Sequence, residues 1–495
     1  MKRDGTVLDG NYHTEALWCR WQRGRPRKIG GYRTLTNLLT EVTRGMHVYD
    51  KQNQTYTHCG SASMLERITL DPSGVASATV DRTPASLVAS ANNQWQFDTL
   101  YDAGGTAVQL IAHAAPNATD ISDDTNGDIF IGNVTGSSAL TASNMDAVSG
   151  GVVCLHPYLL TFGNDGVVNW SDPNDPDTQD ASARPTAAKI VRGMAMRGSG
   201  GSGGGPAGLL WALDGLIQVT FSGGATVFAF SQISPQGSIL ASNSVIEYDG
   251  IYYWIGVDRF LAFNGVVREL RNDMNQNFFF DNLNWTYRNK VFAHKIPYYG
   301  EIWWCFPYGS STECNWAIVY NVRDNFWYDT PLPGGGRSSA QFAQVFRSPL
   351  MTGVYTDATT DKYHLLQHEF GVDAIDGQRV LAIESYFETA NFMLGELSGQ
   401  PTDSAIVCNV IEPDFLQTGD MTVQINGAAN ARATAHQSNP ATFPQTASSA
   451  QTQLANIRET RRQMRFRFGS NVQGGDYQAG KILYHIQPGD GRRTQ

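Results

Sequence analysis

The sequence predicts an all-β protein: a β-propeller followed by an antiparallel β domain of sandwich type. Three observations predict it. Glycine supplies 50 of 495 residues and aromatics 11%, while charged residues reach only 17%, below the roughly 25% of an average globular chain. That balance suits short strands joined by tight turns, not a helical bundle rich in Ala, Glu, Lys and Leu. Next, one unit repeats: apolar strand, turn, second strand, turn. Between about 150 and 375 it recurs every 40 to 50 residues, the period of propeller blades. Finally, the pattern changes near Gly377, after which strands are separated by a polar, low-complexity loop.

In chain order, residues 1–34 form a basic segment with a first strand, "LWCRWQRGRPRKIGGY", turning at Gly24 and Gly30–Gly31. Residues 35–379 are assigned to the propeller. Its units include "GMHVYDKQNQTYTHCGS" from Gly45, "GGVVCLHPYLLTFGNDGVVNWSD" from Gly150 and "GLLWALDGLIQVTFSGG" from Gly208. The clearest begins at Ser244, where Asp249-Gly250 and Asn264-Gly265 read as two-residue hairpin turns; such dipeptides supply the positive φ that twisted hairpins need. Further units start at Val291 and Pro349. The glycine-serine run Arg197–Pro206 reads as a loop at a blade edge; it lacks the GK[ST] ending of a phosphate loop. Residues 380–495 are assigned to the second β domain, with strands in "ESYFETANFML", "AIVCNVIEPDF", "MTVQINGAA", "RQMRFRFGS" and "KILYHIQPGD" and a polar loop over 431–453. Arg465 and Arg467 alternate with Met464, Phe466 and Phe468, giving a strand with one basic and one apolar face.

The formal net charge of −10 is unevenly spread. Residues 1–50 carry +4, residues 458–495 carry +5, and the middle carries −19. So acidic a middle argues against a sequence-reading DNA binder. The basic ends make Arg25, Arg27, Lys28, Arg465, Arg467, Arg492 and Arg493 candidate docking residues for another subunit or a neighbour. The six cysteines show no CxxC, so they read as free thiols rather than zinc ligands. Neither a secretory signal nor an 18-residue apolar span is expected from the sequence.

Candidate chemistry is sparse. "SDDTNGDIFIG" at 122–132 has alternating Asp124, Asn126 and Asp128, but its glycine sits early and the twelfth-position Glu is missing; a calcium loop needs both, so an Asn126-Gly127 hairpin is expected. His364 and His368, with Glu369 beside them, would suit a metal on a helix, but their flanks read as a strand. A glycosidase needs two carboxylates; Asp172, Asp175, Asp249, Asp258, Asp324 and Asp329 are available, most beside turn residues. Trp170, Ser171, Asp172, Pro173, Asp175 and Pro176 read as a strand end followed by two Asp-Pro corners, a stiff exit from a blade. No catalytic residue, cofactor or metal is expected.

Four stretches in order carry a family resemblance: "WQRGRPRKIGGY", "VVCLHPYLLTFGNDGVVNWSDPNDP", "YDGIYYWIGVDRFLAFNG" and the tail "IEPDF … RRQMRFRFGSNVQGGDYQAGKILYHIQPGDGRR". The chain resembles the tail nozzle proteins of short-tailed bacteriophages, also called packaged-DNA-stabilising or lower tail-tube proteins. The glycine run at 198–205 and the polar loop at 430–450 depart from that pattern. The resemblance implies a virion protein, assembled in the host bacterial cytoplasm, that forms a ring of six at the distal end of the tail. The ring would contact an adaptor or upper tail-tube ring and tail fibres or a needle. Double-stranded DNA would pass it without sequence recognition, held until infection. The alternative is a glycan-binding or glycan-cleaving propeller tail protein. A propeller scaffold of eukaryotic type is weakened by the lack of a regular WD or kelch signature.

Overall fold

On the strand Ala207–Ala212 every residue is buried, although a strand has two faces. Leu209 and Trp211 pack with Tyr252 and Trp254 of the strand Ile251–Ile255. Leu210 and Ala212 pack the opposite way, with Val153, Leu155 and Leu160. Side chains alternate across a strand with period two. A sheet apolar on both faces therefore needs a neighbour on each side. The next strands repeat the arrangement: Tyr253 and Ile255 meet Ile302, Trp304 and Phe306, while Trp303 and Cys305 face onward. Repeated around a circle, this is a propeller.

A computed structural model describes residues 1–5, 12–102, 104–115, 121–196, 205–224, 226–235, 237–357, 360–393, 405–430, 433–445 and 454–489. Among them, seven sheets, each built on four antiparallel strands, form the blades. Their innermost strands are Gly45–Lys51, Gln94–Tyr101, Gly151–Leu155, Ile190–Ala195, Ile246–Tyr248, Phe292–Ile296 and Gly336–Ala343, for blades one to seven. Blade seven is composite. Gly336–Ala343, Ser348–Asp357 and Thr360–His368 pair in order, and the fourth strand is Tyr32–Leu39 from the other end of the chain. That strand leads into blade one and closes the ring. The small hairpin Ala374–Asp376/Arg379–Leu381 extends the same sheet. A second closure lies nearby: Arg44, entering blade one, forks onto Glu313 of blade six with both bonds at 2.7 Å, and Lys290 Nζ donates to Glu313 at 2.9 Å.

The ring thus begins with the unit at Gly45, inside the 35–379 read as propeller, and includes a blade two (94–142) that the sequence pattern did not single out. Asp249-Gly250 is a two-residue turn with φ of 51° and 79°, as the dipeptide predicts. Asn264-Gly265 is not: Phe263 pairs with Val267, so the loop has three residues. The expected Asn126-Gly127 hairpin is absent as well; Gly127 forms an isolated bridge to Val148. The segment 197–204, holding most of the glycine run, lies outside the described residues.

The second domain is a sandwich of two sheets. One orders Glu15–Leu17, Ser385–Glu388, Gln463–Ser470 and Met421–Ala428, with short strands His436–Gln437 and Ala441–Phe443 on the last. The other orders Cys19–Gln22, Arg25–Lys28, Asp476–Pro488, Ile406–Thr418 and Ala455–Arg461. The N-terminal residues 15–28 are therefore strands of this sandwich, not a segment apart, and two short strands interrupt the loop read at 431–453. The remainder of that loop, 446–453, lies outside the described residues. Phe387, Phe415, Phe466, Phe468 and Tyr477 fill the space between the sheets. Pro413 sits where the strand Ile406–Thr418 bulges, a position that tolerates the missing donor.

The sandwich core runs on without a break into the face of blades six and seven. At its centre Arg20, with no exposed side-chain area, lies 3.2 Å from Glu301 of blade six and 2.6 Å from Glu369 beyond blade seven. Its guanidinium stacks over Tyr299 at 3.6 Å. Glu301 also accepts from Tyr328 Oη at 2.7 Å and Trp303 Nε1 at 3.0 Å. Burial alone would lower the Arg20 pKa; Glu301 and Glu369 more than offset it, so Arg20 stays charged.

Two outcomes are expected. Arg20→Met strands a buried carboxylate and lowers stability by about 3–5 kcal/mol; adding Glu301→Gln recovers part of it, because the amide oxygen still accepts from Tyr328 or Trp303. Urea unfolding of the single and double variants measures both. At Glu313 burial raises the pKa, but the Arg44 and Lys290 contacts outweigh it and the net shift is downward from 4.5. Its stabilisation is then full above pH about 4.5 and is lost as pH falls through the lower folded value. The melting difference between wild type and Glu313→Gln should hold steady from pH 7 to 5 and shrink below 4.

Candidate functional site

The stretch 170–176 lies within blade three. Val168–Asp172 and Asp175–Ala183 are its third and outermost strands, and Asp172 pairs with Asp175 across Pro173-Asn174. Asn174 takes φ of 58°. The corner is therefore the hairpin between two strands of one blade, not an exit from it. Trp170 is buried and donates to Asp180 at 3.2 Å. Ser171 Oγ accepts from Leu159 N at 3.0 Å and donates to the Asp172 carbonyl at 2.8 Å. Asp175 accepts from Asp177 N at 3.1 Å and Thr178 Oγ1 at 3.0 Å, a carboxylate spent on its own turn. Buried Pro176 offers its carbonyl to Ser143 Oγ of blade two at 2.7 Å. Pro173 is exposed at the tip.

The other acids are equally local. Asp249 holds a turn, Asp258 pairs with Arg259 at 2.6 Å, and Asp324 accepts from Arg23 N at 3.0 Å. Asp329 is buried against Arg3, Asn275 and Trp316. The six candidates are spread over blades three, five and six. His364 and His368 lie on the strand Thr360–His368, where His368 Nε2 accepts from Arg337 Nε at 3.1 Å. Among the described residues no group of three His, Cys, Asp or Glu is placed to hold a metal, and no helix is long and apolar enough to cross a membrane. All six cysteines are free and buried.

The basic docking candidates divide. Arg25 is exposed and Arg27 half-buried on the sandwich hairpin. Lys28 is buried and donates to the Gly475 carbonyl at 2.7 Å, so its side chain is turned inward and not offered to a partner. Arg465 pairs with buried Glu388 at 3.0 Å. Arg467 stacks over Tyr386 at 3.4 Å. Both therefore hold the sandwich together; their alternation with Met464, Phe466 and Phe468 is as read, with those three fully buried. Arg492 and Arg493 lie outside the described residues.

One feature escaped the sequence reading: a cavity of about 360 Å³ on the propeller axis, lined by residues of the innermost strands. Gln96 reaches from blade two across to its neighbours. Its Nε2 donates to the carbonyls of Gly150 at 2.7 Å and Val191 at 3.0 Å, tying blades two, three and four. A Cβ on Gly151 would collide with that carboxamide, so glycine makes room for it. The lining residues come from six blades far apart in sequence, and no local motif could announce them. No protein-family model matches the chain, and no curated protein matches it.

If the blade-three corner is only a turn, Asp175→Asn melts like wild type and Asp175→Ala costs about 0.5–2 kcal/mol, the range of a lost cap. Asp172, whose carboxylate has no partner among the described residues, should tolerate alanine better. Calorimetric melting of the Asp172 and Asp175 variants checks this, and an Asp175→Asn variant that melts well below wild type would mean that the charge itself is needed.

Proposed function

We propose that this protein is a structural virion subunit, not an enzyme, that forms the distal nozzle ring of a short phage tail. Six copies continue the DNA channel below an adaptor or upper tail-tube ring, meet tail fibres or a needle beyond, retain the packaged genome and release it on infection. The observation that carries the reading is where the four family-like stretches fall. Trp21–Tyr32 supplies the sandwich hairpin and runs into the ring-closing strand. The second and third stretches are the hairpins of blades three and five. The tail supplies the longest pair of sandwich strands, Ile406–Thr418 with Asp476–Pro488. The resemblance thus touches both parts of the molecule and the joint between them.

In this reading the duplex passes between copies. The axis of each propeller holds a cavity of about 360 Å³, of small-molecule size and too small for a duplex. Duplex DNA carries one charge per roughly 1.7 Å. A ring wall drawn from the −19 middle of the chain repels it and lets it slide, where a basic wall would grip it.

Phage deprived of this protein should fill their heads and then leak DNA, measured as nuclease-accessible genome after packaging. Stable, DNA-retaining particles without it would end the retention role. Binding of duplex DNA by the isolated protein should be weak and salt-sensitive; nanomolar affinity at physiological salt contradicts the sliding wall.

A further inference from the structure

The axial cavity contains one guanidinium whose hydrogen-bond donors the protein leaves largely unmet. Its titratable lining groups are His47, Arg192, Glu247, His294 and Lys295. Lys295 Nζ donates to the Glu247 carboxylate at 3.1 Å and its carbonyl at 2.8 Å, so those two cancel. Burial lowers His47 to about 4 and His294 to about 3, leaving both imidazoles neutral. Arg192 remains. It forms no ion pair among the described residues. Its single hydrogen bond is a long one, Nη1 to Gln96 Oε1 at 3.3 Å, and its Nε is buried without an acceptor. Asp98, the acid that acts on Arg192 from behind the lining, is occupied by Thr99 N and Cys154 N, both at 2.8 Å.

A guanidinium has five N–H donors in a planar fork shaped for carboxylate or phosphate. Buried charges are ordinarily paired, because an unmet donor in a partly desolvated site is costly. Lys295, on the wall of the same cavity, shows the ordinary solution. Arg192, which lines that cavity too, departs from it. The cavity lies within the roughly 300–1,000 Å³ of small-molecule sites, and Gln96 closes one side of it. The uncharged polar groups His47, Gln96 and Gln341 also line the space; they suit hydroxyl groups.

We infer that the propeller axis is a binding site for a small oxyanion of monosaccharide size, a sugar carboxylate or sugar phosphate, whose acid group takes the Arg192 fork. The site is independent of the nozzle reading, since it needs neither a ring nor DNA.

The test is titration calorimetry of the full chain with glucuronate, glucose 6-phosphate and glucose. At least one of the two acids should bind at a single site, and glucose roughly tenfold or more weaker, the worth of one or two charge-assisted hydrogen bonds. Whichever acid binds tighter identifies the source. Arg192→Gln should lose the acid-over-glucose preference while melting like wild type. Arg192→Lys, which keeps the charge without the fork, should weaken binding several-fold. Competition on the wild type needs no variant: inorganic phosphate should displace the bound acid. The proposal fails if neither acid binds, if glucose binds as well as they do, if a folded Arg192→Gln keeps the preference, or if phosphate does not compete.

Discussion

Arg20 is the joint on which the two halves of this molecule depend. It stands on an N-terminal strand of the sandwich and holds a carboxylate of blade six and another beyond blade seven. A buried guanidinium and two carboxylates are expensive to desolvate, and such a group contributes little net stability beyond an apolar replacement of the same shape. Its effect is directional. The charges are satisfied in one arrangement of hairpin, blade six and blade seven, so the sandwich is set at one angle on the propeller. The hydrophobic core around it, continuous from Phe387 and Phe468 to Trp303 and Met351, supplies the non-directional part of the same attachment.

The chain crosses this joint more than once. From the sandwich strands at 15–28 it passes into Tyr32–Leu39, closes blade seven, runs round the ring and returns to the sandwich at Ser385. Both halves therefore require the two ends of the chain to meet. Closure by Tyr32–Leu39 also lets the apolar faces of blades one and seven find each other, with Met46 and Ile68 packing on Leu350 and Leu365. An open ring would leave those faces in water.

Seven packed blades around a polar axis, with a sandwich braced beside them, are compatible with the structural role proposed above. The residues that looked chemical in sequence, such as Asp175, Asp258 and Asp329, are spent on turns, local pairs or buried contacts. The guanidinium with unmet donors, Arg192, is one that no motif marked.

By itself the sequence determined the all-β class, the hairpin unit, the Asp249-Gly250 turn and the two-faced strand Gln463–Ser470. Each rests on residues within a few positions of one another: a dipeptide that accepts positive φ, or an alternation of period two. Blade two was not legible because its outer strand, Thr141–Ala142, is two residues long and its second and third strands are separated by a long connection. The tertiary structure alone decided where residues 15–28 belong, that Lys28, Arg465 and Arg467 are inward-facing braces, and that Gln96 and Arg192 share an axis. Partners hundreds of residues apart, such as Arg20 and Glu369 or Lys28 and Gly475, are set by which strands pair across the whole chain. That pairing is a global minimum over both sheets and all seven blades, and no local window of sequence contains it.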